Sequence, residues 1–156
     1  MSMAPFHTRF RDIAAHETRS VTVQGTLGLP DGEYGFIEFY CDDPGCDCRR
    51  VVINVMCSTT GPKIWASINY GWESLNFYER WMGDKELARD SQGASLDPFN
   101  QQSPYSRALL EIFNQMCLSD TAYVERLKRH YDLFKASLHR KPYSLTRPKT
   151  STRRRR

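Results

Sequence analysis

The sequence predicts an α+β fold: a small antiparallel sheet of about four strands carrying a zinc knuckle, with an N-terminal helix and a C-terminal set of two to four helices. Three observations lead there. Between residues 20 and 70, stretches rich in Val, Ile and aromatic residues alternate with turn-forming residues. From Gly71 onward the apolar residues take up spacings of three and four. Between them, three cysteines crowd one turn, Cys41-Asp42-Asp43-Pro44-Gly45-Cys46-Asp47-Cys48. With 156 residues, 40% apolar and 12% aromatic, the chain is long enough to bury one core, so residues 1–139 are expected to form a single domain.

Phe6, Phe10, Ile13 and Ala14 recur at helical spacing, which predicts a short amphipathic helix from Phe6 to about His16. Ser20 to Gln24 and Tyr34 to Tyr40 read as a hairpin around the turn-rich residues Gly25 to Glu33, which include Pro30-Asp31-Gly32. Arg50 to Met56, the turn Ser58-Thr59-Thr60-Gly61-Pro62, and Lys63 to Tyr70 complete a four-stranded meander. Trp72 to Arg80 and Lys85 to Asp90 read as helices, followed by a loop from Ser91 to Gln102. Ser103 as N-cap and Pro104 as first helical residue open a helix through Leu118, its core stripe Leu109, Leu110, Phe113, Met116 and Cys117. Ser119 or Asp120 caps the last helix, whose apolar stripe is Val124, Leu127, Tyr131, Phe134 and Leu138.

The net charge of +4 conceals an asymmetry. Residues 140–156 hold eight basic side chains, Arg153, Arg154, Arg155 and Arg156 among them, and no acid; the remainder has 14 Lys and Arg against 18 Asp and Glu. The prediction is an acidic body with a basic, disordered tail. No window approaches the ~20 apolar residues of a membrane-spanning helix. A soluble, cytoplasmic protein is expected, and crowded thiols suit a reducing compartment better than a disulfide framework does.

The cysteine turn carries the strongest chemical signal. Three thiolates at this spacing suit one tetrahedral zinc ion, which needs a fourth ligand from elsewhere. Cys57 lies nine residues beyond Cys48 along an extended strand, ~30 Å away at a rise of ~3.3 Å per residue, so geometry argues against it. If the first hairpin pairs positions summing to about 57, His16 falls opposite Cys41 and becomes the expected fourth ligand. Glu73 is second; His7 and Cys117 are more remote. Four protein ligands would make a closed structural site, whereas three would leave a Lewis acid with Glu73 or Asp47 available as base. The competing view is that the three are reduced surface thiols without a metal.

The string Tyr40-Cys41-x-Asp43-Pro44-x-Cys46-Asp47-Cys48-Arg49-Arg50, with Ile68-Asn69-Tyr70-Gly71-Trp72-Glu73 and Tyr123 to Tyr131, resembles an uncharacterised group of bacterial proteins. The resemblance spans most of residues 9–136 and implies no activity. The turn is also superficially similar to short SEC-C metal-binding motifs, but departs from their opening C-x-C and closing Cys-Cys or Cys-His pair.

Among the other constellations, Tyr70, Trp72, Phe77, Tyr78 and Trp81 read as packing aromatics, because only Arg80 interleaves with them. Arg126, Lys128, Arg129 and Lys135 on the last helix, together with Arg153 to Arg156, are the candidate contacts to nucleic acid. An acidic protein partner would suit the same charges. No phosphate loop, nucleophile elbow, H-E-x-x-H or dinucleotide fingerprint is present, so the leading expectation is a non-catalytic zinc-binding module associated with nucleic acid. A zinc-dependent hydrolase and a protein-interaction adaptor are the alternatives.

Overall fold

In the computed structural model, which describes residues 2–25 and 28–139, the mixed architecture holds, and the four expected strands are all present in one sheet. They are β2 (Ser20–Val23), β3 (Gly32–Cys41), β4 (Arg50–Cys57) and β5 (Ile64–Gly71), each antiparallel to its neighbour. Two short strands extend the count to six: β1 (Met3–Pro5) pairs with the far end of β3, and β6 (Gly93–Leu96) pairs with β5. Neither carries the β-branched signature of a strand; both are edge segments held by their neighbour's backbone.

Side-chain alternation divides the sheet into two faces. Tyr34, Phe36, Glu38 and Tyr40 of β3 are buried with Val51, Ile53, Val55 and Cys57 of β4 on the face that carries the core. Leu109, Phe113, Tyr123, Leu127 and Phe134 from the C-terminal helices complete that core. The opposite face holds Arg50 and Val52, cross-strand from Gly71 and Asn69, with Ser95 beyond Asn69.

The N-terminal helix is split: a single 3-10 turn (Phe6–Thr8) precedes α1 (Arg11–Glu17). After β5 come α2 (Leu75–Met82), capped by Ser74, and α3 (Lys85–Ser91), capped by Asp84. The next helix, α4 (Ser106–Ile112), begins slightly after the expected start, with the Ser103 hydroxyl accepting from the Tyr105 amide. It runs into a π-helical turn (Phe113–Cys117), closed by a 2.9 Å bond from the Leu118 amide to the Phe113 carbonyl. The wider turn shifts the helical face. Met116, expected in the core, is therefore exposed while Cys117 stays buried; Ile112, before the turn, is buried one helical step from Leu109. The last helix, α5 (Thr121–Leu138), is capped by Asp120, and its buried stripe takes in Tyr123 and His130 as well as Leu127, Tyr131 and Phe134. None of the described helices is long and apolar enough to cross a membrane.

One glycine is set by space alone. A Cβ on Gly71 would stand 2.1 Å from the Ser91 carbonyl oxygen and 2.5 Å from the Tyr78 hydroxyl, because α2 and the end of α3 pack directly on the end of β5. Gly71→Ala is expected to cost about 2 kcal/mol or more, as backbone must move to admit the methyl. Urea unfolding checks this: a midpoint unchanged from wild type would show that the contact yields freely.

Candidate metal centre

Cys41 ends β3 and Cys48 precedes β4, so the strand pairing itself brings the two thiols to the same end of the sheet. Pro44-Gly45 reverses the chain between them. The Asp43 carboxylate accepts from the Gly45 amide at 2.8 Å and the Asp43 carbonyl from the Cys46 amide at 3.2 Å, which places the third sulfur. The Sγ atoms of Cys41, Cys46 and Cys48 lie within 4.8 Å of one another. Tetrahedral zinc with Zn–S bonds of ~2.3 Å sets its sulfurs about 3.8 Å apart, so the set fits that ion after small rotations. Cys41 and Cys48 are buried and Cys46 is half-buried. As thiols, Cys48 is pushed up to about 12, first by burial and then by the Cys46 and Cys41 sulfurs, and Cys46 is raised by burial and Cys41. A cation among the three sulfurs reverses that balance by favouring thiolate.

The residue after Cys48 locks the site. Arg49 has φ 47°, the one left-handed non-glycine among the described residues. Its amide donates to the Tyr131 hydroxyl at 3.2 Å, and its carbonyl accepts from the Tyr78 hydroxyl at 2.8 Å. The guanidinium pairs with Asp47 at 2.9 Å and Glu73 at 3.3 Å and lies over the Phe77 ring at 4.5 Å. The Arg49 hydrogen bonds and charge hold the Asp47 carboxyl below its ordinary range. Lys135 reaches over from α5 to the Asp43 carbonyl at 2.6 Å. Strand, turn, α2 and α5 thus converge on the cysteine turn.

His16 is not among the clustered ligands. The observed β2–β3 register pairs Ser20 with Gly35, a sum of 55, and the ladder ends there. The chain then leaves the sheet as α1, and β1 takes the place beside Cys41, with Met3 as its partner. His16 lies exposed in the last turn of α1, its Nδ1 2.8 Å from the Asp12 carbonyl. The register extrapolation failed because it ran a four-residue strand onward through a helix. Glu73 is held by Arg49, His7 is exposed, and Cys117 is buried at the end of the π-helical turn; none joins the three sulfurs. Among the described residues the set is three cysteines.

The expected nucleic-acid face of α5 is turned largely to internal use. Arg126 donates to the Glu17 carbonyl at 2.9 Å, and Arg129 grips the Glu17 carboxylate at 2.7 and 2.9 Å. Lys128 pairs with Glu125 at 3.1 Å, and Lys135 is bound to the cysteine turn. Arg153 to Arg156 lie outside the described residues.

A second constellation escaped the sequence reading. His130 of α5 is fully buried, with Nδ1 2.7 Å from Glu38 Oε2 and Nε2 2.5 Å from Glu17 Oε2. Phe6 stacks on its ring at 4.3 Å, and Tyr40 donates to Glu38 at 2.8 Å. Both ring nitrogens thus face carboxylate oxygens, one on β3 and one on α1. Hydrogen bonding from His130 and then Arg129 lowers the Glu17 carboxyl, while burial followed by Glu38 raises the Tyr40 hydroxyl. The signal was present in strand parity: Glu38 falls in the buried series with Tyr34, Phe36 and Tyr40, and a buried carboxylate requires a partner.

No protein-family model, curated protein or solved structure matches this chain.

Proposed function

We propose that this protein is a non-catalytic zinc-binding module, in which Cys41, Cys46 and Cys48 hold the ion and the ion fastens the β3–β4 turn to the rest of the fold. The observation that carries this reading is the convergence of three sulfurs within 4.8 Å from a single turn. A structural role suits their surroundings, because both carboxylates that could serve as a base, Asp47 and Glu73, are engaged by Arg49. These side chains supply three of the four positions of a tetrahedral ion. Zinc there would screen the mutual repulsion of the thiolates and replace the disulfides that a reducing, cytoplasmic setting disfavours.

In this reading, nucleic acid or an acidic protein is met through the basic residues 140–156, since Arg126, Arg129 and Lys135 of α5 are held by intramolecular acceptors. Elemental analysis of the purified protein is expected to give one zinc per chain, unchanged in His16→Ala and lost in Cys41→Ser. Protein prepared with zinc present throughout that nevertheless carries none would end the proposal. Binding to a generic duplex should weaken steeply with salt and vanish when residues 140–156 are removed; persistence after removal would return the interface to the folded body.

A further inference from the structure

Beside the cysteine turn, on the sheet face away from the core, lies a cavity of about 690 Å³, within the range of small-molecule sites. Its floor is a row of cross-strand partners, Val52, Asn69 and Ser95. Met82 of α2 and Leu87 of α3 overhang it, and Phe99, 93% exposed, stands at the rim. Cys48 forms part of the wall, although the cavity and the metal set are otherwise made of different residues.

Arg50 makes this cavity more than a depression. It follows Arg49 into β4, and alternation places it on the cavity face beside Val52. Its Nε is buried and has no hydrogen-bond partner, and the guanidinium takes part in none of the ion pairs among the described residues. The side chain is half-buried and its guanidinium has no protein acceptor among the described residues, so an anion entering the cavity would meet its terminal N–H groups in a charge-assisted hydrogen bond. Two acids also line the cavity but do not meet that need. Asp97 accepts with Oδ1 from the Phe99 and Asn100 amides at 2.8 and 3.0 Å, shaping the rim, and Asp90 is exposed.

We infer that this cavity is a binding site for a small organic anion with an apolar body, its carboxylate or comparable acid group received by Arg50 and its apolar part lying between Val52, Met82, Leu87 and Phe99. The inference is independent of the zinc reading, since its anion contact and its apolar walls require no ion.

The test compares three probes of one chain length, octanoate, octanol and octylammonium, by calorimetric titration of the full chain. Octanoate is expected to bind at least about tenfold tighter than either of the others, the margin of a charge-assisted hydrogen bond over none. Arg50→Met should remove the octanoate preference while leaving octanol affinity in place, and Arg50→Lys should retain part of it. Ser95→Trp, which fills the cavity from edge strand β6, should abolish octanoate binding and serves if Arg50→Met fails to fold. Equal binding of octanoate and octanol, tighter binding of octylammonium, no octanoate binding at millimolar concentration, or octanoate binding unaffected by Ser95→Trp would each overturn the site. Zinc content measured on the same samples separates failure here from failure of the metal proposal.

Discussion

Replacing His130 by Ala is expected to destabilise the fold by about 3–5 kcal/mol, the cost of truncating a fully buried ring and leaving its buried hydrogen-bond partner unsatisfied. The reason lies in what stays behind. Glu38 has a side chain only 3% exposed; its Oε1 already lacks a hydrogen-bond partner, and without the imidazole its Oε2 retains only the Tyr40 hydroxyl. The ring's stacking on Phe6 is lost as well. Against the ~5–15 kcal/mol of a typical domain, a loss of this size consumes much of the stability. The cost of the unpartnered carboxyl group separates from simple cavity formation in the double variant His130→Ala/Glu38→Gln, which removes that group and should be more stable than His130→Ala alone. Denaturant unfolding of the three proteins reads both effects. A single-variant loss below ~1 kcal/mol would mean that water or a side-chain rearrangement supplies the missing partner.

Acid should expose the other half of this network. The folded-state Glu17 carboxyl lies below its ordinary value of 4.5, held there by His130 and Arg129, so its stabilising contribution is present above about that pH and is lost as pH falls through the lower folded value. Glu17→Gln is expected to flatten the acid limb of a stability–pH curve and to leave the difference between neutral and mildly alkaline pH unchanged. A limb as steep as wild type would assign acid sensitivity to other carboxylates.

The central meander was legible because its strands carry their own signal: Val51, Ile53 and Val55 alternate with half-buried residues, and β-branched side chains favour a pleated, buried surface. β1 and β6 were not legible. Met-Ala-Pro and Gly-Ala-Ser-Leu have no strand pattern, and only pairing with β3 and β5 makes strands of them. That omission had a chemical consequence, because β1 occupies the position assigned to residues around His16 and with it the expected fourth-ligand geometry. The cysteine set itself was legible, since its three members lie on one short turn and need no long-range pairing to meet. His130 and Glu38 are 92 residues apart, and each looks polar by type; only their positions in a buried parity and a buried helical stripe mark them. The π-helical turn after α4 was invisible to a spacing of three and four, which is why Met116 was assigned to the core and lies exposed.

Removal of the proposed zinc should produce the other large effect, through the same elements that Arg49 holds together. The ion would link Cys41 at the end of β3 to Cys46 and Cys48 beyond the turn, and Tyr131, Tyr78 and Lys135 tie that turn to α5 and α2. Loss of the ion leaves buried Cys41 and Cys48 sulfurs to repel or protonate, and loosens the end of the sheet on which these helices rest. Zinc sites of this kind contribute directly to folding free energy. Even ~3 kcal/mol lowers the melting midpoint of a domain this size by roughly 10 °C. Chelation of wild type is therefore expected to lower Tm by about that much or more, and Cys48→Ser should match the chelated wild type and respond no further to chelator. Cys57→Ser supplies the contrast. Its sulfur is equally buried but lies at the opposite end of β4, 3.2 Å from the Thr59 hydroxyl, so it should keep both zinc and chelator sensitivity. If chelation leaves wild-type Tm unmoved, or if Cys57→Ser loses zinc as Cys48→Ser does, the three-cysteine fastening is wrong.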